Sequence, residues 1–255
     1  EGRFAGMLAQ GGLSDELRVL DVDSDDYADW LAPYRGAGLP AVEPAPEDIA
    51  HMLFSSGSTG RPKAVLVSQG RLGRLVAALA ERVELDRESV TYLYSPLFHG
   101  HAVMLNLGPA WFVGATVAMT RKFSASGFSA DIHRYGVTYV NYVGRVLSYV
   151  LTRPERPQDR TSTLRLAYGT EASETDVARF SERFGCHVQE GYGLSEGVFR
   201  INHTPETPRG SLGAPAGGLD VRVLDEETGH ECPRARFDDS GRLINPEAVG
   251  QMVAV

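Results

Sequence analysis

Residues 55–63 read Ser55-Ser56-Gly57-Ser58-Thr59-Gly60-Arg61-Pro62-Lys63, set between two short apolar runs, Ile49-Ala50-His51-Met52-Leu53-Phe54 and Ala64-Val65-Leu66-Val67. Two such runs joined by a Gly- and Pro-containing link predict a hairpin. The chemistry of the link suits a polyphosphate. Its glycines let the backbone approach closely, its hydroxyls and free N–H groups donate to phosphate oxygens, and Lys63 and Arg61 offset the charge. A Walker loop needs G-x-x-x-x-G-K-[ST] opening a helix. Here Gly57 and Gly60 are three apart, Pro62 precedes the lysine and Ala64 follows it, so a P-loop kinase or ATPase is excluded on spacing. A Ser/Gly loop taken alone is more often a surface turn, and the case for a ligand rests on the whole string.

Beyond this loop, strand-like and helix-like segments alternate. Leu72, Leu75, Val76, Leu79 and Val83 fall at i, i+3, i+4, i+7 and i+11 and make one helical stripe. Val90–Tyr94 reads as a strand, and a helix follows His101. The 19 residues His101–Met119 are apolar enough to suggest a membrane span. Asn106, Gly108, Pro109 and Gly114 instead favour a buried helix, a break and a strand over 115–118. Ser124 and Ser126 can cap a helix through Arg134, strands follow at 138–142 and 164–167, and a helix lies between them over 143–151. Thr152–Thr163 reads as a surface loop. Ser173, with Asp176 three residues on, caps a helix whose Val177, Phe180 and Phe184 face inward. Such repetition implies a parallel sheet covered on both faces. After Asn202, prolines and glycines punctuate a loop that leads to the short strand Val221–Leu224.

Two further segments carry chemistry. His187-Val188-Gln189-Glu190 reads as a strand running into Gly191-Tyr192-Gly193-Leu194-Ser195-Glu196, an aromatic between glycines followed by a hydroxyl and a carboxylate. Loops at strand C-termini are where open α/β sheets bind ligands. Taken singly, Tyr192 is an ordinary core or turn tyrosine and Glu196 a solvated charge. Tyr94-Ser95-Pro96-Leu97-Phe98-His99-Gly100-His101 places an aromatic–histidine pair just after a strand. A lone histidine there is commonly a satisfied core residue, and His101 is set aside.

The string S-S-G-S-T-G-R-P-K resembles the phosphate loop of the adenylate-forming enzymes, which include acyl-CoA synthetases, firefly luciferases and nonribosomal-peptide adenylation domains. It conforms at every position to their [ST]-S-G-[ST]-T-G-x-P-K pattern. Glu190–Glu196 resembles the family's adenine and magnesium segment, and Phe98-His99 its aromatic–histidine motif beside the acyl site. Arg121-Lys122-Phe123-Ser124-Ala125-Ser126-Gly127-Phe128 is similar to the fatty-acid transport protein and very-long-chain acyl-CoA synthetase branch.

The resemblance implies that Ser55, Ser56, Gly57, Ser58, Thr59, Gly60, Lys63, Gly169, Glu190, Gly191, Tyr192 and Ser195 bind the nucleotide. It further implies that Ser55 and Glu196 hold Mg²⁺ and that Lys63, His99 and Glu196 are catalytic. ATP or AMP, Mg²⁺, CoA as co-substrate and a fatty acid are the implied ligands, with an acyl-adenylate and then an acyl-CoA as products. A carrier protein as acyl acceptor and a non-catalytic nucleotide-binding relic are the alternatives. The implied fold is α/β, a parallel sheet flanked by helices. Residues 1–48 are then a partial N-terminal segment and linker, 49–204 the nucleotide- and acyl-binding subdomain, and 205–255 the start of a β-barrel-like subdomain. The family's small C-terminal domain and its lysine are expected to be absent, leaving a partial module of low activity.

Charge narrows the partners. The net charge of −8 argues against nucleic acid, with Lys63, Arg61 and Arg209 as local exceptions suited to one small anion. Cys186 and Cys232 form no zinc spacing and imply a reducing compartment, and Glu1–Gln10 carry no signal pattern. The expectation is a cytoplasmic protein, with peripheral membrane contact and a homodimer left open.

Overall fold

The computed structural model describes residues 19–38, 41–55, 63–204, 206–208 and 210–255, with the backbone alone at Ser55. Two compact units result, Glu1–Pro44 and Ala45–Val255. In the first, helix α1 (Asp25–Leu31) begins where Ser24 Oγ accepts a hydrogen bond from Tyr27 N, and Asp25 and Asp26 sit in its positive first turn. Tyr27 stacks on Trp30, which tilts against Tyr34.

The second unit opens with the expected hairpin. Strands β1 (Ile49–Ser55) and β2 (Lys63–Ser68) pair antiparallel, with Ser55 opposite Lys63. One face buries Leu53 and Val67, while Met52, Phe54 and Leu66 on the other stay exposed. Ser68 ends β2 and caps α2 (Gln69–Arg82), its hydroxyl accepting from Arg71 N. The helical stripe read from the sequence is the packed one: Leu72 and Leu75 meet Leu53, Val67 and Met104, while Leu79 and Val83 meet Tyr139 and Tyr168.

Strand β3 (Val90–Leu93) leads into a helix of three pieces: α3 (Gly100–Ala102), a π-helical turn over Val103–Leu107, and α4 (Gly108–Val113). Gly114, at φ +77°, closes it before β4 (Thr116–Met119). The widened turn, a rare form in helices, presents the Leu105 carbonyl to the buried Tyr139 hydroxyl at 2.8 Å. Among the described residues, no helix is long and apolar enough to cross a membrane.

The chain then alternates through α5 (Phe128–Tyr135), β5 (Tyr139–Val143), α6 (Val146–Leu151), β6 (Leu166–Thr170), α7 (Glu174–Phe184) and β7 (His187–Gly193). Ser124 Oγ caps Gly127 N in the turn before α5, whereas Ser126 is exposed. Ser173 caps α7 through Asp176 N, as its position suggests. Short strands β8 (Arg200–Asn202), β9 (Ala214–Pro215), β10 (Val221–Leu224) and β11 (Gln251–Ala254) complete the unit, the last two as a separate antiparallel pair.

The main sheet has the order β4-β3-β5-β6-β7-β8-β9. Its first five strands are parallel, but β8 and β9 are antiparallel, so the sheet is mixed and not purely parallel as expected. The cause is local. A tight turn, with Gly197 N donating to Leu194 O, returns the chain directly beside β7 and leaves no room for a crossover.

Helices cover both faces. On one, Tyr92, Val140, Tyr142, Ala167 and Val188 pack with Phe128, Ile132, Phe180 and Phe184. On the other, Tyr139 and Tyr168 pack against α2. Each fully buried side chain of this kind contributes about 1.5–3 kcal/mol.

The Thr152–Thr163 loop departs from its expected surface character. Asp159 is 1% exposed and pairs at 2.8 Å with buried Arg183, whose remaining donors reach the carbonyls of Val150, Arg153 and Pro154. Burial alone would raise the Asp159 carboxyl, but hydrogen bonds from Ser129, Arg156 N and Arg183 outweigh it and hold the carboxyl below its usual range.

Candidate active site

The C-terminal ends of β6 and β7 open into a cleft of about 520 Å³. Helix α2 forms one wall with Arg71, Arg74, Leu75 and Ala78, and His101 and Met104 contribute from the helix after β3. The opposite side carries Tyr168, Gly169 and Thr170 of β6 and the run Gly191–Ser195. Strand C-termini are the expected ligand end of such a sheet, and the cleft's size is that of a small-molecule site.

A row of three residues across neighbouring strands shapes this end. Tyr142, Gly169 and Glu190 lie side by side on β5, β6 and β7. The Tyr142 ring crosses directly over Gly169, where a Cβ would lie 2.6 Å from the ring and 2.2 Å from the Tyr142 carbonyl oxygen. Only glycine fits there. Beyond it, the Tyr142 hydroxyl donates to Glu190 Oε1 at 3.2 Å, and Ala172 N donates to the same oxygen at 2.8 Å. Burial, with the nearby Glu190 charge, pushes the Tyr142 phenol well above its ordinary range and keeps it a donor. Glu190 thus anchors the turn between β6 and α7.

Of the residues singled out in the sequence, Gly169, Gly191, Tyr192 and Ser195 line the cleft. Tyr192 presents a half-buried ring stacked on Phe199 at 6.2 Å. Gly191, Tyr192 and Gly193 do not form a loop as expected. They belong to β7, paired with Asn202, Ile201 and Arg200, because β8 continues the ladder past the end of the parallel sheet. The loop proper is Leu194–Gly197, and Glu196 on it is exposed, with no hydrogen bond or ion pair among the described residues. Lys63 is exposed at the start of β2, and His99 is exposed with its ring 4.6 Å from Phe98. Ser55 ends β1. Ser56, Gly57, Ser58, Thr59, Gly60, Arg61 and Pro62 lie outside the described residues, as does Arg209.

The histidine that reaches the cleft is His101, two positions beyond the motif residue. Its Nδ1 accepts from Asn141 Nδ2 at 2.7 Å and its Nε2 donates to Tyr142 O at 3.1 Å, which fixes one neutral tautomer. Asn141 is tied in turn to buried Asn106, and Asn106 accepts from Thr91. Burial, with His99 nearby, lowers the His101 pKa to about 4. A 3.6-residue count from Met104 and Leu105 places His101 on the helix face that packs inward, the one signal that could have found it.

Arginines were also missed. Arg71, Arg74 and Arg82 recur on one stripe of α2, and Arg71 and Arg74 line the cleft together with Arg200 of β8. Arg82 donates to Asn202 Oδ1 and lies 5.5 Å over the Tyr168 ring. Arg200 Nε is buried without a partner among the described residues.

The residue set suits a magnesium nucleotide. A hard cation that keeps its waters and phosphate oxygens takes only one or two protein oxygens. Glu196 offers a carboxylate without a partner among the described residues beside the cleft-lining Ser195, while Gly169 and Gly191 line the cleft with their Cβ directions filled by Tyr142 and the Tyr168 hydroxyl.

Comparison with solved structures defines the fold first. The fold matches VinN with a TM-score of 0.71 over 99% of this chain and 63% of that one, at 21% identity. It matches ATP-bound MatB from Rhodopseudomonas palustris with a TM-score of 0.66 over 77% and 40%, at 23% identity. The likeness is one of fold, an α/β sheet flanked by helices. Residues 7–251 match the AMP-binding enzyme family, and the chain belongs to it.

Among its relatives, the steroid-22-oyl-CoA synthetase of Rhodococcus jostii is 44% identical over 245 residues, covering 95% of this chain and 44% of that protein. The medium/long-chain-fatty-acid–CoA ligase FadD17 of Mycobacterium marinum is 40% identical over 243 residues, covering 95% and 47%. Long-chain fatty acid transport protein 2 of Rattus norvegicus is 36% identical over 154 residues, covering 60% and 25%. The chain therefore spans less than half the length of these relatives.

Proposed function

We propose that this chain is the nucleotide- and acyl-binding part of an ATP-dependent acid–CoA ligase acting on a fatty acid or a comparably apolar carboxylic acid. The observation that carries the reading is the convergence of Gly169, Gly191, Tyr192 and Ser195 on one cleft whose remaining floor is apolar, with Leu75, Leu79, Met104 and Leu105. Relatives at 44% and 40% identity named as CoA ligases support the reaction class.

In this reading a carboxylate oxygen attacks the α-phosphorus of ATP and pyrophosphate leaves. The CoA thiolate then attacks the acyl carbon and AMP leaves. Ser55 through Gly60 and Lys63 hold the phosphates, Tyr192 lies against adenine, and Gly169 and Gly191 line the nucleotide's part of the cleft. Glu190 acts by fixing the turn behind the site. Ser55 and Glu196 would hold Mg²⁺, which supplies charge compensation on the phosphates when bound. His99 borders the acyl end, and His101 forms part of its floor. Pair β10–β11 begins a barrel-like subdomain, after residues 1–48 and the 49–204 subdomain. The enzyme works on small molecules in the cytoplasm.

Calorimetric titration of MgATP into the 255-residue chain tests the binding half. Weak binding that disappears in the Lys63→Ala/Glu196→Ala double variant is expected, together with slow pyrophosphate exchange. A double variant that binds as well as the parent would refute the site.

A further inference from the structure

We infer that Arg71 is a positioning residue that ties the phosphate-loop hairpin to the Ser195–Gly197 turn and so sets where the Glu196 carboxylate stands. This rests on the nucleotide reading above and assigns that site a part supplied by helix α2.

Three observations carry it. Arg71 Nη2 donates to Ser195 O at 2.6 Å, a charge-assisted bond between residues 124 apart in sequence. Gly197, at φ +68°, leaves the space this needs, since a Cβ there would lie 2.2 Å from Arg71 Nη2. Arg71 is also fixed at its other end, because its backbone N–H donates to Ser68 Oγ, the cap that closes β2 and starts α2. One residue thus joins the strand that begins at Lys63 to the turn that carries Glu196.

Glu196 itself has no partner among the described residues, so its direction is inherited from the backbone on either side. That backbone is short and, among the described residues, otherwise closed only by the Gly197 N to Leu194 O bond. A lysine at position 71 lacks the planar fork and would deliver a more mobile point charge.

The test uses the 255-residue chain with Arg71→Met, Arg71→Lys, Gly197→Ala and Glu196→Gln, each first shown to unfold cooperatively. Amide exchange at Ser195–Gly197 in the nucleotide-free protein reads the clamp. MgATP and magnesium-free ATP affinities read its consequence. In Arg71→Met and Gly197→Ala, exchange at the turn is expected to rise about tenfold, the scale of one charge-assisted hydrogen bond, while β6 keeps its protection. MgATP affinity should fall toward the magnesium-free value, Arg71→Lys should restore little of it, and Arg71→Met should cost nothing further in a Glu196→Gln background.

Unchanged exchange at the turn would overturn the clamp and leave the nucleotide reading standing. Losses from Arg71→Met and Glu196→Gln that simply add would overturn positioning through Glu196. A parent that binds no MgATP would overturn the nucleotide reading, and with it the positioning role, however far the turn loosens.

Discussion

His101 makes the acid side of this protein's stability curve a test of the cleft. The ring is held neutral by burial and by a hydrogen-bond pattern in which Nδ1 can only accept from Asn141 Nδ2. A proton on Nδ1 would face the amide donor. In the unfolded chain the same ring has its ordinary pKa of 6.5, against about 4 in the fold. The unfolded state therefore takes up the proton first, so the contribution is complete above about pH 6.5 and is lost as pH falls toward 4. Linkage over that interval amounts to roughly 2 kcal/mol lost by pH 5 and roughly 3 kcal/mol by pH 4.

Carboxylates titrate in the same range, so the informative quantity is the difference between the parent and His101→Gln. That variant keeps one donor and one acceptor and has no proton to gain. Urea unfolding at half-unit steps from pH 7.5 to 4.5 should give curves that converge as pH falls, the variant losing about 2 kcal/mol less than the parent by pH 5. Parallel curves, or a His101 ring that titrates near 6.5 by NMR in the folded protein, would refute the argument.

Two substitutions probe the frame behind the cleft. Gly169→Ala forces a methyl against the Tyr142 carbonyl oxygen and ring. It should cost about 3 kcal/mol or more in urea unfolding by overpacking and loss of the Tyr142–Glu190 bond; a cost under about 0.5 kcal/mol would show that the row relaxes freely. Arg183→Met strands the buried Asp159 carboxylate beside Ser129 and should destabilise by about 3–5 kcal/mol at pH 7 in the same assay.

What the sequence made legible follows the range of the forces involved. Helix α7 was readable because its cap, Ser173 to Asp176 N, and its inward stripe, Val177, Phe180 and Phe184, are all local. The same holds for the β1–β2 hairpin and for the stripe on α2. The π-helical turn at Val103–Leu107 was not readable, because its widening answers a tyrosine hydroxyl 34 residues away. The Asp159–Arg183 pair hid for the same reason, since Asp159 stands in a Pro- and Arg-rich stretch and meets its partner only after α7 has packed. In the site, Gly169, Gly191, Tyr192 and Ser195, all singled out in the sequence, line one cleft. The resemblance gave Glu190 a nucleotide role, and its Oε1 accepts from Tyr142 and Ala172 N, contacts no sequence pattern announces. The motifs also favoured His99, while the helix turn carries His101 inward.

The charge balance shows how an acidic chain can still build a basic cleft wall. Of 33 acidic and 25 basic side chains, the cleft takes Arg71, Arg74 and Arg200 and no carboxylate among its described lining residues. The spacing of the first two is set by α2, whose opposite stripe is committed to the core through Val76, Leu79 and Ala80. The third follows from the antiparallel return at Leu194–Gly197, which brings β8 beside β7 and Arg200 opposite Gly193. Without that turn the sheet would end at β7, and the cleft would lose both Arg200 and the carbonyl that Arg71 grips. Net charge keeps the whole molecule acidic, but Arg71 is engaged by Ser195 O, and low-dielectric walls of Leu75, Leu79 and Met104 focus the field of Arg74 and Arg200 in the cleft. Under the proposed function, the wall with Arg74 and Arg200 is the part suited to the polyanion and the Leu75, Leu79 and Met104 floor the part suited to the apolar chain.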